Sequence, residues 1–205
     1  MGEIWIANFP LVLASNSATR AQMLRALGLS FEIEAAQLDE RACEQEFLDG
    51  GGGLDALAAH LACAKAREVS LRRTDALCLG ADQTLTCDGK LMHKSRDAHQ
   101  AEENLGALAG RTHRLTSAAC FARAGKALFH GAERADMTMR ALTREAIQRY
   151  LAIAGPEVLS SVGAYRIEEL GLHLFERVEG APATILGLPM FALLAWLRAQ
   201  GALAL

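Results

Sequence analysis

A mixed fold, α/β or α+β with antiparallel hairpins in its sheet, is what this sequence predicts. Three observations carry that expectation. Short apolar runs of strand length mix with segments of helical period, but without the clean βαβ repeat of an all-parallel sheet. Asp88-Gly89 separates two strand-like runs as a two-residue hairpin turn. At 205 residues, 51% hydrophobic and 22% charged, the chain can bury a substantial core, as one domain or one domain with two lobes.

The elements follow in order. Leu11-Val-Leu-Ala reads as a buried strand that runs into a small polar loop, Ser15-Asn-Ser17. A helix is expected from about Ser17 to Leu27, with Arg20 in its first turn, apolar Met23, Leu24 and Leu27, and Gly28 as terminator. A helix start gathers unpaired backbone N–H groups and the positive end of the dipole. With the Ser15 and Ser17 hydroxyls and the planar Arg20 fork added, the place suits an anion such as phosphate; the plainer reading is that Ser17 only caps the helix. Phe31-Glu-Ile-Glu alternates like a strand and leads to the acidic pair Asp39-Glu40, and Gly50–Gly53 is a loop or a hinge.

The helix expected from Leu54 to about Val69 places Lys65 on the stripe occupied by Leu54, Ala58 and Leu61. Its ammonium either points inward and needs an anionic partner, or snorkels to solvent from the stripe edge. Leu77–Thr86 reads as a strand with Asp82 and Gln83 in its middle, and Lys94 arrives on the return strand of the hairpin. A carboxylate in an apolar strand calls for a metal, a cation or hydrogen-bond donors. Further on, the pattern predicts a helix over Ala98–Leu108 capped by Asp97, strands over Thr112–Ala122 and Ala127–Leu142, and a helix from Thr143 to Ala154. Leu172–Val178 alternates like a strand, and Gly187-Leu-Pro-Met190 opens a last helix with Pro189 near its start. His113 and His173 lie in alternating segments, where a satisfied structural histidine is expected.

Bulk properties narrow the function. The net charge of −3 provides no basic field for a nucleic-acid backbone, so a phosphate site must be a local cluster of cations. The five cysteines are scattered and never spaced Cys-x-x-Cys, which argues against zinc or a disulfide framework and suits a reducing cytosol. Met1-Gly-Glu-Ile-Trp-Ile carries an acid and no basic region, and no apolar run reaches the ~20 residues of a membrane span. A soluble, cytoplasmic protein without a membrane partner is expected. Neither a Gly-x-x-x-x-Gly-Lys-Ser/Thr loop nor a Gly-x-Gly-x-x-Gly loop occurs, and no Gly-x-Ser-x-Gly elbow or His-Glu-x-x-His pair is present.

The order of motifs resembles the Maf family of nucleoside-triphosphate pyrophosphatases over nearly the whole chain. The landmarks are Leu-Ala-Ser15-Asn-Ser17-Ala-Thr-Arg20, Leu38-Asp39-Glu40, Ala64-Lys65-Ala66, Gly80-Ala-Asp82-Gln83, Lys94, Leu108-Ala-Gly110-Arg-Thr-His113, Gly163-Ala-Tyr165, and Gly180 through Gly187-Leu-Pro189. The resemblance implies an α/β, two-lobed fold like that of inosine-triphosphate pyrophosphatases, with an elongated mixed sheet and a cleft between lobes, formed by residues 1–205 as a single domain. It also implies attack of water on the α-phosphate of a nucleoside triphosphate, a divalent cation (Mg²⁺ or Mn²⁺), and allows a homodimer. Carried onto this sequence, Ser15, Ser17, Arg20, Lys65 and Lys94 would bind phosphate, Glu40 and Asp82 would hold the cation, and Asp82 would act as general base. Asp82-Gln83 and Glu168-Glu-Leu-Gly171 resemble the branch that acts on 7-methyl-GTP, with Thr19, Gln83 and Glu168 at positions bearing on the base. One carboxylate such as Glu168 can accept from both N1–H and N2–H of a guanine. The alternatives are the same reaction on dTTP, UTP or CTP, or a non-catalytic nucleotide-binding regulator of septum formation. Departures from the family pattern are Ala18 for a proline, Ala21 for a second arginine, Thr19 where the branch often has Trp, and Ser95 for a proline. Thr19 has no ring to stack on a cationic purine.

Overall fold

A computed structural model describes residues 4–205; the Met1–Glu3 part of the opening segment lies outside the described residues. Among the described residues seven strands form one mixed hydrogen-bonded sheet. They are β1 (Leu11–Leu13), β2 (Glu32–Ile33), β3 (Leu77–Cys87), β4 (Lys90–Met92), β5 (Thr112–Arg123), β6 (Lys126–Met139) and β7 (Phe175–Glu179). The order is β2-β1-β3-β5-β6-β7, with β4 added to β3. The helices are α1 (Ala18–Ala26), α2 (Glu40–Asp49), α3 (Leu54–Arg72), α4 (Ala98–Leu108), α5 (Arg144–Ala154), α6 (Pro182–Ile185) and α7 (Met190–Ala199). Among the described residues no helix is long and apolar enough to cross a membrane. The chain divides into two compact units, and β3, β5 and β6 contribute residues to both.

The first unit comprises the chain through Gln83, Thr116–Glu133 and Ala181–Leu205. Here β1 is parallel to both β2 and β3, with Leu13 opposite Ile33 and Leu79. A central parallel strand is buried on both faces, which is why Leu11-Val-Leu13 is uninterrupted apolar sequence. Leu13, Leu24, Leu79, Phe121, Leu193 and Leu197 share one core, and Phe121 stacks on Trp196 at 4.8 Å. Each such buried side chain contributes about 1.5–3 kcal/mol of burial free energy. A second contact consists of small residues: Ala58, Ala62 and Ala66 of α3 against Ala118, Cys120 and Ala122 of β5. Gly80 of β3 lies closer still. A Cβ there would stand 2.1 Å from the Ala62 carbonyl oxygen and 2.5 Å from the Ala66 nitrogen. Glycine inside a strand marks such a backbone approach.

The second unit comprises Thr84–Leu115 and Arg134–Gly180. Asp88 and Gly89 both have positive φ (+50° and +73°), the conformation of a type I′ turn, and β4 returns antiparallel to β3. Asp97 accepts from Gln100 N at 2.8 Å and Thr143 from Ala146 N at 3.2 Å, so both expected caps are present. The strand expected over Leu172–Val178 is corrected in its first half: Leu170–Leu174 is a 3₁₀ turn and β7 starts at Phe175. Gly171 and Leu174, three residues apart as 3₁₀ geometry requires, are the buried pair, while Leu172 is exposed. Pro189 precedes α7 at its cap position.

Candidate functional site

The carboxyl end of β1 and the adjoining part of β3 hold the polar cluster of the first unit. Ser17 caps α1, its hydroxyl accepting from Arg20 N at 3.3 Å, and the Ser15 hydroxyl accepts from Ser17 N at 3.3 Å. The Arg20 side chain turns across the loop. Its Nη1 donates to Ser15 Oγ (3.2 Å) and to the Ala81 carbonyl (3.0 Å), and its Nε donates to the Gly187 carbonyl (3.0 Å). Burial pushes the Arg20 pKa down, and the nearby carboxylates of Asp82 and Glu40 oppose that shift.

Lys65 answers the question its position raised. It is 7% exposed, and its Nζ lies 2.7 Å from Asp82 Oδ1 and 2.7 Å from Glu40 Oε2. The ammonium therefore points inward to two anionic partners. Those two oxygens can be no farther apart than twice the shared distance, so an acid from β3 and one from the first turn of α2 converge on one point. Asp82 is 8% exposed, whereas the Glu40 side chain remains half open to solvent. The close α3–β3 approach at Gly80 brings these groups together, since Ala62 and Ala66 flank Lys65 on α3 and Gly80 lies two residues before Asp82.

Gln83, placed by sequence among residues bearing on a base, turns its amide nitrogen onto the protein. It donates to Ser117 Oγ (2.9 Å) and to the carbonyls of Thr184 (3.1 Å) and Ile185 (2.9 Å). Thr19 is half-buried in the first turn of α1. Lys94 and Glu168 belong to the second unit. Lys94 is exposed just beyond β4 and bridges to Val162, and Glu168 lies 3.6 Å from Arg166 Nε. The sequence reading did not single out Ser117, Thr184 and Gly187 for their contacts. Gly80 carried the one available signal, a glycine in the middle of an apolar strand.

Two carboxylates converging on a cation suit a hard divalent metal, which keeps several waters and takes one or two protein carboxylates plus substrate phosphates. Among the described residues no group of three or more His, Cys, Asp or Glu side chains forms an all-protein cage. Asp82 and Glu40 would supply two of the oxygens that such an ion takes.

Fold and site together define an α/β protein with a cluster of cations and paired acids at the carboxyl end of a parallel strand pair, a usual place for ligands in such sheets. The chain belongs to the Maf family: the family described as "Maf-like protein" matches residues 10–200. It is 49% identical over 203 residues to the nucleoside triphosphate pyrophosphatase of Nitrobacter hamburgensis, covering 98% of this chain and 99% of that one. It is 48% identical over 193 residues to the 7-methyl-GTP pyrophosphatase of Rhizobium johnstonii, covering 94% and 97%. Among solved structures, a nucleoside-triphosphatase / dITP/XTP pyrophosphatase of Mycobacterium abscessus aligns with TM-score 0.42 and 18% identity, over 72% of this chain and 99% of that one.

Proposed function

We propose that this protein hydrolyses a nucleoside triphosphate to the monophosphate and pyrophosphate, and that its substrate is a modified purine nucleotide such as 7-methyl-GTP. The observation that carries the reading is Lys65 Nζ held between Asp82 and Glu40 beside the Arg20 fork. The names of the two relatives above agree with it. Arg20 and Lys65, with the Ser15 and Ser17 hydroxyls and the start of α1, meet a polyphosphate of about four negative charges, and Lys94 is the further cation that the family resemblance adds. Phosphate oxygens entering the cluster compete with Asp82 for Lys65, and this frees a carboxylate oxygen to take a proton from water. The water oxygen bonds to the α-phosphorus, the bond from that phosphorus to the bridging oxygen breaks, and pyrophosphate departs. Glu40 and Asp82 would hold a divalent cation, Mg²⁺ or Mn²⁺, which neutralises the leaving group. Glu168 accepts from the guanine N1–H and N2–H, exchanging its contact with Arg166 for the base.

The test is pyrophosphate release, measured by coupling to inorganic pyrophosphatase, across 7-methyl-GTP, GTP, dTTP, UTP and CTP. The expected ranking has 7-methyl-GTP first, and Asp82→Asn lowers turnover by ~10²-fold or more, the usual scale for a general base. A preference for pyrimidines removes the assignment to Glu168. Unchanged turnover in Asp82→Asn removes the base from the mechanism.

A further inference from the structure

We propose that Phe47 is a positioning residue for Glu40: stacked on His60, it docks α2 onto α3 and so sets where the Glu40 carboxylate stands. The proposal rests on the triphosphate reading above in taking Glu40 as a ligand of the divalent cation.

The carboxylate depends on the seating of its helix. Helix α2 contains no buried residue, so no core side chain anchors it. Its half-buried residues are Cys43, Glu44, Phe47 and Leu48, which with Glu40 follow the i, i+3, i+4, i+7, i+8 period of a single helix face. That face meets α3, and the two helices are tied at two points. At one, Glu40 Oε2 lies 2.7 Å from Lys65 Nζ. At the other, the Phe47 and His60 rings stack with centroids 4.3 Å apart and planes at 23°. The pairs run in opposite order along the two helices, as in an antiparallel hairpin closed by the Gly50–Gly53 loop. Glu40 and Phe47 are two turns apart, about 10 Å of helix.

An ordered helix carries the effect of the stack to the carboxylate. Asp39 caps α2, accepting from Arg41 N and Ala42 N at 3.0 Å each, which fixes Glu40 in a regular first turn. At the other end the glycine run packs on the same ring. Gly52 N donates to the Phe47 carbonyl at 2.9 Å, and a Cβ on Gly52 would stand 2.4 Å from Phe47 Cε1. Only a residue without a side chain lets the loop approach so closely. The ring is therefore held both by His60 of α3 and by the loop that leads into α3. Without it, the contact between the helices is reduced to half-buried Cys43, Glu44 and Leu48 and the Glu40–Lys65 pair, whose acid is half open to solvent. Phosphate entering the cluster competes for Lys65. As that tie loosens, the stack is what keeps α2 seated and Glu40 in place.

The experiment uses the full chain and three single variants. Phe47→Ala removes the ring, Gly52→Ala keeps it but drives it from its seat, and His60→Phe preserves a ring pair. Hydrogen–deuterium exchange of the α2 amides, without metal or substrate, should quicken by about two- to tenfold in the first two, the range of one aromatic pair, and stay near wild type in the third. The Glu40 carboxyl ¹³C resonance should move in the same two variants and not in His60→Phe. Pyrophosphate release from the best substrate of the panel above, titrated with Mn²⁺, should need about two- to tenfold more metal for half its maximal rate, with a smaller change in kcat at saturating metal. A merely structural role scales kcat with the folded fraction and leaves the metal requirement where it is. In a Glu40→Gln background Phe47→Ala adds less than about twofold. Unchanged exchange or an unmoved Glu40 resonance overturns the proposal, as does an unmoved metal requirement or full additivity with Glu40→Gln. If the wild-type protein hydrolyses no triphosphate, the functional reading fails by itself. The exchange and the resonance, both read without substrate, still decide whether Phe47 positions Glu40.

Discussion

Two buried polar clusters, one in each unit, solve the cost of burial in opposite ways. In the first unit Lys65 and Asp82 are ion-paired at 2.7 Å, with half-exposed Glu40 as a second acid on the same ammonium. In the second unit His113 Nε2 and the Tyr165 hydroxyl lie 2.7 Å apart, and Phe175 packs edge-on against Tyr165 at 4.8 Å. Burial pushes the His113 pKa down to about 4, only partly opposed by Asp136, and pushes the Tyr165 hydroxyl up. That pair is neutral at pH 7. A neutral hydrogen-bonded pair holds a core together at small desolvation cost, whereas a buried ion pair often stabilises less than apolar residues of the same volume. Charge kept in a poorly solvated place is better explained by a ligand that exchanges with it. The first cluster reads as machinery and the second as scaffold.

The largest effect expected on this contrast comes from Gly80→Ala. The added methyl meets backbone of α3 at 2.1 and 2.5 Å, and backbone cannot rotate away as a side chain can. Overpacking of this kind costs about 3 kcal/mol or more, and α3 is forced away from β3. Urea unfolding should give a much lower midpoint, and whatever folds should lose ~10²-fold in turnover as Lys65 is drawn off Asp82. Near-native stability together with native turnover would mean that close approach is not what assembles the charges.

Much of the first cluster is legible in sequence because its signals are local. Ser17 precedes a helical run, Arg20 falls in its first turn, Asp82 interrupts an apolar strand, and Lys65 breaks an apolar stripe. What could not be read depends on tertiary contact. Helix α2 has no fully buried residue, so it writes no apolar period into the chain, and Asp39-Glu40 looked like the end of a strand when Asp39 is in fact the helix cap. Helix α6 is a single turn pinned by distant strands, and the partners of Gln83 are 34 to 102 residues away. The 3₁₀ turn at Leu170–Leu174 imitates strand alternation over too few residues for the periods to separate.

A smaller effect separates the clusters by pH. His113 titrates near 4 in the folded protein and near 6.5 in the unfolded chain, so between these values the unfolded state binds more protons. Stability from this residue is complete above about pH 6.5 and is lost as pH falls toward 4, by ~3 kcal/mol in all. Denaturant unfolding at pH 7 and at pH 4.5 should show most of that loss, and His113→Gln should remove much of the slope between them. An equal slope in His113→Gln would place the acid sensitivity elsewhere and leave His113 free of the role assigned to it.

The smallest effect tests the contrast most directly. Tyr165→Phe keeps the ring against Phe175 but leaves His113 Nε2 without a partner, in a site where Nδ1 already meets none among the described residues. Leaving a buried donor or acceptor unsatisfied costs about 1–3 kcal/mol, whereas replacing both partners by apolar groups of similar shape is nearly neutral. The double variant His113→Leu/Tyr165→Phe should therefore recover most of the stability lost by Tyr165→Phe alone, and should retain turnover. Lys65→Met/Asp82→Leu is the matching change in the first unit. It too should fold, because the acid left without its lysine, Glu40, is half open to solvent, but it should hydrolyse no triphosphate. If the His113/Tyr165 double variant folds and yet loses turnover, the neutral pair is not scaffold alone, and buried charge no longer distinguishes the site from the core.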